Sequence, residues 1–64
     1  MDYEEACRKY RKELEELYFL KTRLKTAKKS EVERIQKNID SRNISIGMLK
    51  KWFKLTRNKI PEIP

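Results

Sequence analysis

Basic residues in the second half of the chain are spaced so that they could bind an anionic partner. On a single helix through this region they fall within about 120° of arc, beside the only tryptophan, Trp52. The basic residues are Lys50, Lys51, Lys54 and Arg57, with Lys59 just beyond them. Ammonium and guanidinium groups bind phosphates and carboxylates, and an indole stacks on nucleic-acid bases. This basic strip predicts an acidic protein partner or a nucleic acid as ligand.

Residue types that carry catalysis or hold metals are scarce. The chain has no histidine and one cysteine, so a zinc site would need carboxylates alone. Cys7 falls on an apolar stripe, where a cysteine behaves as a small hydrophobic residue. The carboxylates Glu13, Glu15 and Glu16 are typical of a solvated helix flank rather than of an acid–base pair in a cleft. We therefore expect no catalytic residues, metal, cofactor or small-molecule substrate.

Composition and charge restrict the class of protein. The chain has 64 residues, with 17 basic against 10 acidic residues and a net charge of +7. A chain of this length forms one small domain with a thin core. One cysteine cannot form an internal disulfide, and no apolar run reaches the ~20 residues that cross a bilayer. We expect a cytoplasmic protein that does not insert into membranes.

Apolar residues recur at helical spacing in two stripes. The first stripe comprises Tyr3, Cys7, Tyr10, Leu14, Leu17, Leu20, Leu24 and Ala27. The second comprises Val32, Ile35, Ile39, Arg42, Ile46, Leu49, Phe53 and Thr56, with Arg42 as its one charged member. Between them, Ser30 followed by Glu33 forms a capping-box pattern that predicts the start of a new helix.

These stripes predict an all-α fold, a two-helix antiparallel hairpin with helices over about residues 2–29 and 31–58. Paired positions should then have numbers that sum to about 59, so Cys7 faces Phe53. Arg42 would pair with Glu13 or Glu16. The hairpin domain covers residues 1–59. Residues 60–64 form an extended tail, because the prolines at 61 and 64 cannot continue a helix.

A second apolar set remains after the hairpin interface is assigned. Ile44, Met48, Trp52 and Leu55 fall nearly opposite the second stripe, and Phe19 lies outside the first. An exposed apolar patch of this kind marks a contact surface. We expect it to bind a protein partner, or a second copy of the chain in a dimeric four-helix bundle, with the basic strip as its rim. The sequence thus predicts a non-enzymatic interaction module, as in a small accessory or regulatory protein.

A different interpretation of residues 35–54 is a DNA-binding helix-turn-helix. It places a break at residues 43–45, with Ser45 capping a recognition helix. In this alternative the protein binds nucleic acid through the basic strip. Gly47 is the ambiguous residue, since a glycine inside a helix costs up to about 1 kcal/mol. Either a bend or a close approach of another helix would explain it.

Overall fold

Two long helices make up most of the chain, and they pack against each other. A computed structural model describes residues 1–62, and Ile63 and Pro64 of the predicted tail lie outside the described residues. Helix α1 spans Tyr3–Thr26 and helix α2 spans Lys29–Leu55. The molecule measures 42 × 20 × 14 Å. The prediction of an all-α helical hairpin is confirmed.

The first helix begins one residue later than predicted and ends three residues earlier. Asp2 is its N-cap, and its side-chain Oδ1 accepts a hydrogen bond of 2.8 Å from the backbone N–H of Glu5. Glu4 and Glu5 in the first turn face the positive end of the helix dipole. Local sequence thus defines the start of α1 well, because the capping Asp2 and the acids Glu4 and Glu5 all favour a helix that begins at this point.

The connection between the helices consists of Ala27 and Lys28, both in extended conformation. Their ψ angles are 145° and 152°. Helix α2 begins at Lys29, and the backbone carbonyl of Lys28 accepts from Glu31 and Val32 at 2.8 and 3.2 Å. The predicted capping box at Ser30 is wrong, since the second helix has no side-chain cap. The reason is that α2 begins two residues earlier than a cap at Ser30 would require.

The buried residues lie along one seam between the helices. They are Ala6, Tyr10 and Leu17 from α1, and Ile35, Ile39, Ile46 and Phe53 from α2. Six of the seven belong to the predicted stripes. Ala6 was not predicted, and it is fully buried whereas Cys7 beside it is only half-buried. A small residue on α1 leaves room for a large ring from α2.

An aromatic cluster closes the end of the hairpin that lies far from the connection. The Phe53 ring lies edge-to-face between Tyr3 and Tyr10, with centroid distances of 5.8 Å to each. Trp52 also contacts Phe53 edge-to-face, at 5.3 Å. Phe53 is thus centred opposite the Ala6–Cys7 level of α1, which confirms the predicted register.

Helix α2 continues without interruption through residues 43–47. The predicted helix-turn-helix break is therefore wrong, because the unbroken stripe from Ile35 to Phe53 packs against α1 only if the helix is continuous. A close approach of another helix does not explain Gly47. Nothing lies within 4 Å of the position that a Cβ atom would occupy, and the helix does not break there.

The second helix ends at Leu55 rather than at residue 58, and its last carbonyls are satisfied by a Schellman motif. The Asn58 N–H donates to Phe53 at 2.8 Å, and the Arg57 N–H donates to Lys54 at 3.2 Å. Arg57 takes the left-handed conformation with φ of 57°, a position that usually holds glycine. Arg57 is therefore not part of a helical strip, which corrects the prediction.

After this turn the chain returns to the first helix. The Tyr3 hydroxyl donates a 3.0 Å hydrogen bond to the Lys59 backbone carbonyl. Hydrogen bonding with the Cys7 side chain raises the pKa of Tyr3. Ile60 is half-buried and packs against the core. Residues 59–62 therefore close the open end of the hairpin without forming a helix.

Gly47→Ala should stabilise the protein by about 1 kcal/mol, since alanine has the higher helix propensity and the added methyl meets open space. Urea unfolding followed by circular dichroism measures the change. Ser41→Ala, at another exposed position of α2, is the matched control and should give a smaller gain. A loss of stability in Gly47→Ala would contradict the structure at this position.

Arg57→Gly should also stabilise the protein, by about 0.5–1 kcal/mol, because glycine adopts the left-handed conformation without a Cβ penalty. The same unfolding measurement tests it. Lys54→Gly, three residues earlier and inside the helix, should instead cost about 1 kcal/mol. If both glycine variants lost stability equally, the helix would extend through residue 57.

Candidate functional site

Three large apolar side chains project from α2 on the side away from α1. Ile44, Met48 and Leu55 are 65%, 68% and 75% exposed. On the helical wheel they lie within about 40° of one another and nearly opposite the buried Ile46. We call these three residues the outer apolar face. Because nothing in the hairpin covers them, they form the most apolar part of the described surface of α2.

Trp52 differs from the exposed anchor that the sequence suggests. Its side chain is half-buried and packs on Phe53 with an interplanar angle of 76°. On the wheel it lies about 100° from Lys51 and about 160° from Lys54, on the opposite side of the outer apolar face. Trp52 therefore supports the core and offers only part of its ring to a partner.

Lys50, Lys51 and Lys54 form a positively charged border along one side of the outer apolar face. All three are exposed, and among residues 1–62 none of them makes a salt bridge. The sequence contains no acidic residue from 41 through 61. We call these three residues the lysine edge. The other two predicted basic residues lie past the helix, and Lys59 is held there by its backbone carbonyl.

Phe19 is not part of this surface. It is 60% exposed and lies on α1, about 200° from the buried Leu17, so it faces away from α2. The two helices therefore turn Phe19 and the outer apolar face to opposite sides of the hairpin. Tyr18, which is 75% exposed, is a further outward aromatic that the sequence interpretation did not single out. Tyr18 lies at the border of the first apolar stripe, and this position is the sequence signal that could have identified it.

A shallow groove of about 610 Å³ runs between the helices on the side of Trp52. Its lining consists of Lys9, Lys12, Glu13, Glu16, Arg42, Ser45, Met48 and Leu49. We call it the ion-pair groove, because Arg42 Nη1 donates to both carboxylate oxygens of Glu13 at 3.1 and 3.2 Å. This confirms the predicted pairing of the charged residue in the second stripe.

The ion pair satisfies Arg42 incompletely. One nitrogen bonds both oxygens, so the guanidinium does not form the two-nitrogen fork of the strongest arginine–carboxylate pairs. The Arg42 Nε is buried without a hydrogen-bond partner. The Arg42 and Glu13 side chains are 39% and 20% exposed. Solvent therefore screens the attraction, and the pair fixes the alignment of the helices more than it stabilises them.

Neither a metal site nor a membrane span occurs in the described part of the chain. No group of three metal-ligating side chains comes together in residues 1–62. Over the same residues, neither helix is long and apolar enough to cross a bilayer. Comparisons with protein-family models, curated proteins and solved structures find no match. A proposal for the function therefore rests on the outer apolar face, the lysine edge and the ion-pair groove.

A double-mutant cycle on Glu13→Gln and Arg42→Gln should give a coupling of about 0.5–1 kcal/mol, as expected for a partly exposed pair. Free energies of unfolding of the two single variants and the double variant measure it. At high salt the coupling should shrink, because ions screen exposed charges. A coupling of several kcal/mol that salt leaves unchanged would contradict the solvent-screened pair described here.

Proposed function

We propose that the protein is a non-enzymatic binding module whose outer apolar face docks an acidic amphipathic helix of a protein partner. The observation that carries this proposal is the exposure of Ile44, Met48 and Leu55 together on one helix. Burial of such side chains contributes about 1.5–3 kcal/mol each. Monomeric proteins seldom leave a contiguous apolar patch of this kind uncovered.

The spacing of the outer apolar face supports a helix as the occupant. Ile44 and Leu55 are separated by about 16 Å along α2, with Met48 between them. An α-helix packs its own ridge of apolar residues against such a linear stripe. The ion-pair groove beside it shares Met48 with this face and adds Leu49, but Lys9, Lys12 and two glutamates place charges there.

Charge supports an acidic partner. The lysine edge carries three unpaired cations, and the sequence offers no carboxylate nearby in α2 to neutralise them. Glutamates or aspartates flanking the apolar residues of a partner helix would meet these cations. Complementary charge of this kind accelerates association and selects among partners. The unpaired Cys7 supports a reducing, cytoplasmic setting for this function.

Pairing of two hairpins into a dimeric four-helix bundle is the alternative occupant of the same face. The apolar residues suit it as well as they suit a foreign helix. The lysine edge disfavours antiparallel pairing, because the two-fold axis then places Lys51 of both copies on the same side of the interface, close to one another. Like charges at an interface oppose association. We therefore favour the foreign helix.

The test is titration of a fluorescent synthetic helix with leucines at its heptad a and d positions and glutamates beside them. Fluorescence anisotropy should show saturable binding, and the same peptide with lysines in place of the glutamates should bind at least tenfold more weakly. Met48→Gln and Leu55→Gln should each weaken binding about tenfold, or ~1.4 kcal/mol, since both remove buried apolar area and keep helix propensity.

Phe19→Gln is the matched control, because it removes an equally exposed apolar side chain from the other side of the hairpin. Its affinity for the acidic peptide should equal that of the wild type. Sedimentation equilibrium of the protein alone should show a monomer. If the wild type is a dimer and Met48→Gln dissociates it, the occupant of the outer apolar face is a second copy of the chain and not an acidic partner. If the glutamate and lysine peptides bind equally, the lysine edge does not select the partner.

A further inference from the structure

A second group of exposed lysines lies at the connection end of the hairpin. Lys21 and Lys25 come from the last turns of α1, and Lys29 is the first residue of α2. All three are exposed, and within residues 1–62 none forms a salt bridge. The sequence has no acidic residue from 17 through 30. We call this group the turn cluster.

The turn cluster and the lysine edge lie on the same broad side of the molecule. On each helix the lysines are rotated in the same sense from the buried stripe, by about 40–140°. Since the helices are right-handed and antiparallel, equal rotation brings residues of both helices to one side. The ion-pair groove confirms this rule for the other side, because its residues from both helices are rotated in the opposite sense.

The distance between the two lysine groups matches a dimension of DNA. Lys29 and Lys51 are separated by 22 positions of one uninterrupted helix, which is about 33 Å at 1.5 Å per residue. One turn of B-form DNA is about 34–36 Å. A straight rod laid along a duplex meets equivalent phosphates once per turn. If one lysine group contacts phosphates of the DNA backbone, the other group therefore meets the equivalent phosphates one helical turn further along the duplex.

The surface between the two groups carries three acidic residues, Glu15, Glu33 and Asp40. The last two have a polar partner on their own helix. Glu33 pairs with Lys37 at 3.9 Å, and Asp40 accepts a 3.1 Å hydrogen bond from Gln36. At physiological ionic strength charges are screened beyond about 8 Å. Asp40 is about 15 Å along α2 from Lys50, so it does not weaken phosphate contacts there. Glu33 lies only about 6 Å along α2 from Lys29, and Lys37 offsets its charge.

We propose that this lysine face binds double-stranded DNA lengthwise, with the turn cluster and the lysine edge on phosphates one helical turn apart. The contacts are to the backbone, so binding is independent of base sequence. This inference goes beyond the docking of a partner helix. It uses the lysine edge but not the outer apolar face, so Met48→Gln should leave DNA affinity unchanged.

The test measures DNA affinity against salt concentration for two duplexes. One has roughly 24 base pairs, or about two turns, and the other has roughly 8 base pairs closed by a hairpin loop. Each phosphate contact contributes about 0.9 to the slope of log K against log salt. The long duplex should give a slope of about −5, from six lysines. The short duplex should give about half of that, because it reaches one group at a time.

Two triple variants and a control locate the contacts. Replacing the turn cluster by glutamines, or the lysine edge by glutamines, should each reduce the slope for the long duplex by about 3. The control replaces Lys9, Lys12 and Arg34, which are exposed on the opposite side, and it removes the same charge. Its slope should stay within one unit of the wild type. Circular dichroism checks that all variants remain helical.

Four results would overturn the proposal. The first is no binding of the long duplex at low salt. The second is an equal loss in the control and the cluster variants, which would assign binding to net charge alone. The third is an equal slope for the long and short duplexes, which would reject the one-turn spacing. The fourth is tighter binding of single-stranded DNA or polyglutamate, which would assign the lysine face to a flexible strand or to an acidic protein.

Discussion

A single seam between two helices holds this molecule together. The buried residues of the described chain all lie in it, from Leu17 and Ile39 near the middle to Phe53 at the open end. A chain of this size buries a smaller share of its surface than a larger domain does, so each buried ring matters. Phe53 contributes most, because it is fully buried and contacts three other aromatic rings. Within the two helices, the placement of the fully exposed apolar residues follows from the seam.

The sequence predicts the long elements and the start of α1 well, but it predicts the connection and the end of α2 poorly. Periodicity gives the two stripes, the alignment that sets Phe53 opposite Cys7, and the pairing of Arg42, because each reflects many residues in agreement. The connection has no such signal. Ala27 and Lys28 are both good helix formers, and what stops α1 there is the gain from folding the second stripe back on the first. Ser30 was the better local cap, yet tertiary packing decided the turn.

Among the outward residues, too, helical periodicity places some correctly, whereas the positions of others depend on tertiary contacts. Ile44, Met48 and Leu55 lie where the helical wheel predicts, since the outside of a continuous helix follows from its inside. Trp52 could not be placed this way, because its large ring reaches from the flank of α2 to the edge of Phe53. Arg57 could not be placed either, since its left-handed conformation arises from the way the chain leaves the helix and returns to Tyr3. Wheel angles fail where the helix ends.

The bond between Tyr3 and Lys59 also has a consequence for the order of assembly. It joins residues that are 56 positions apart, whereas the contacts near the connection join residues only a few positions apart. Closing a loop costs more entropy as the loop lengthens, so contacts beside the connection form first and shorten the loop for those that follow. The aromatic end is then the last part of the hairpin to assemble. Rapid early closure at one end and aromatic packing at the other make folding directional, from the connection towards the open end.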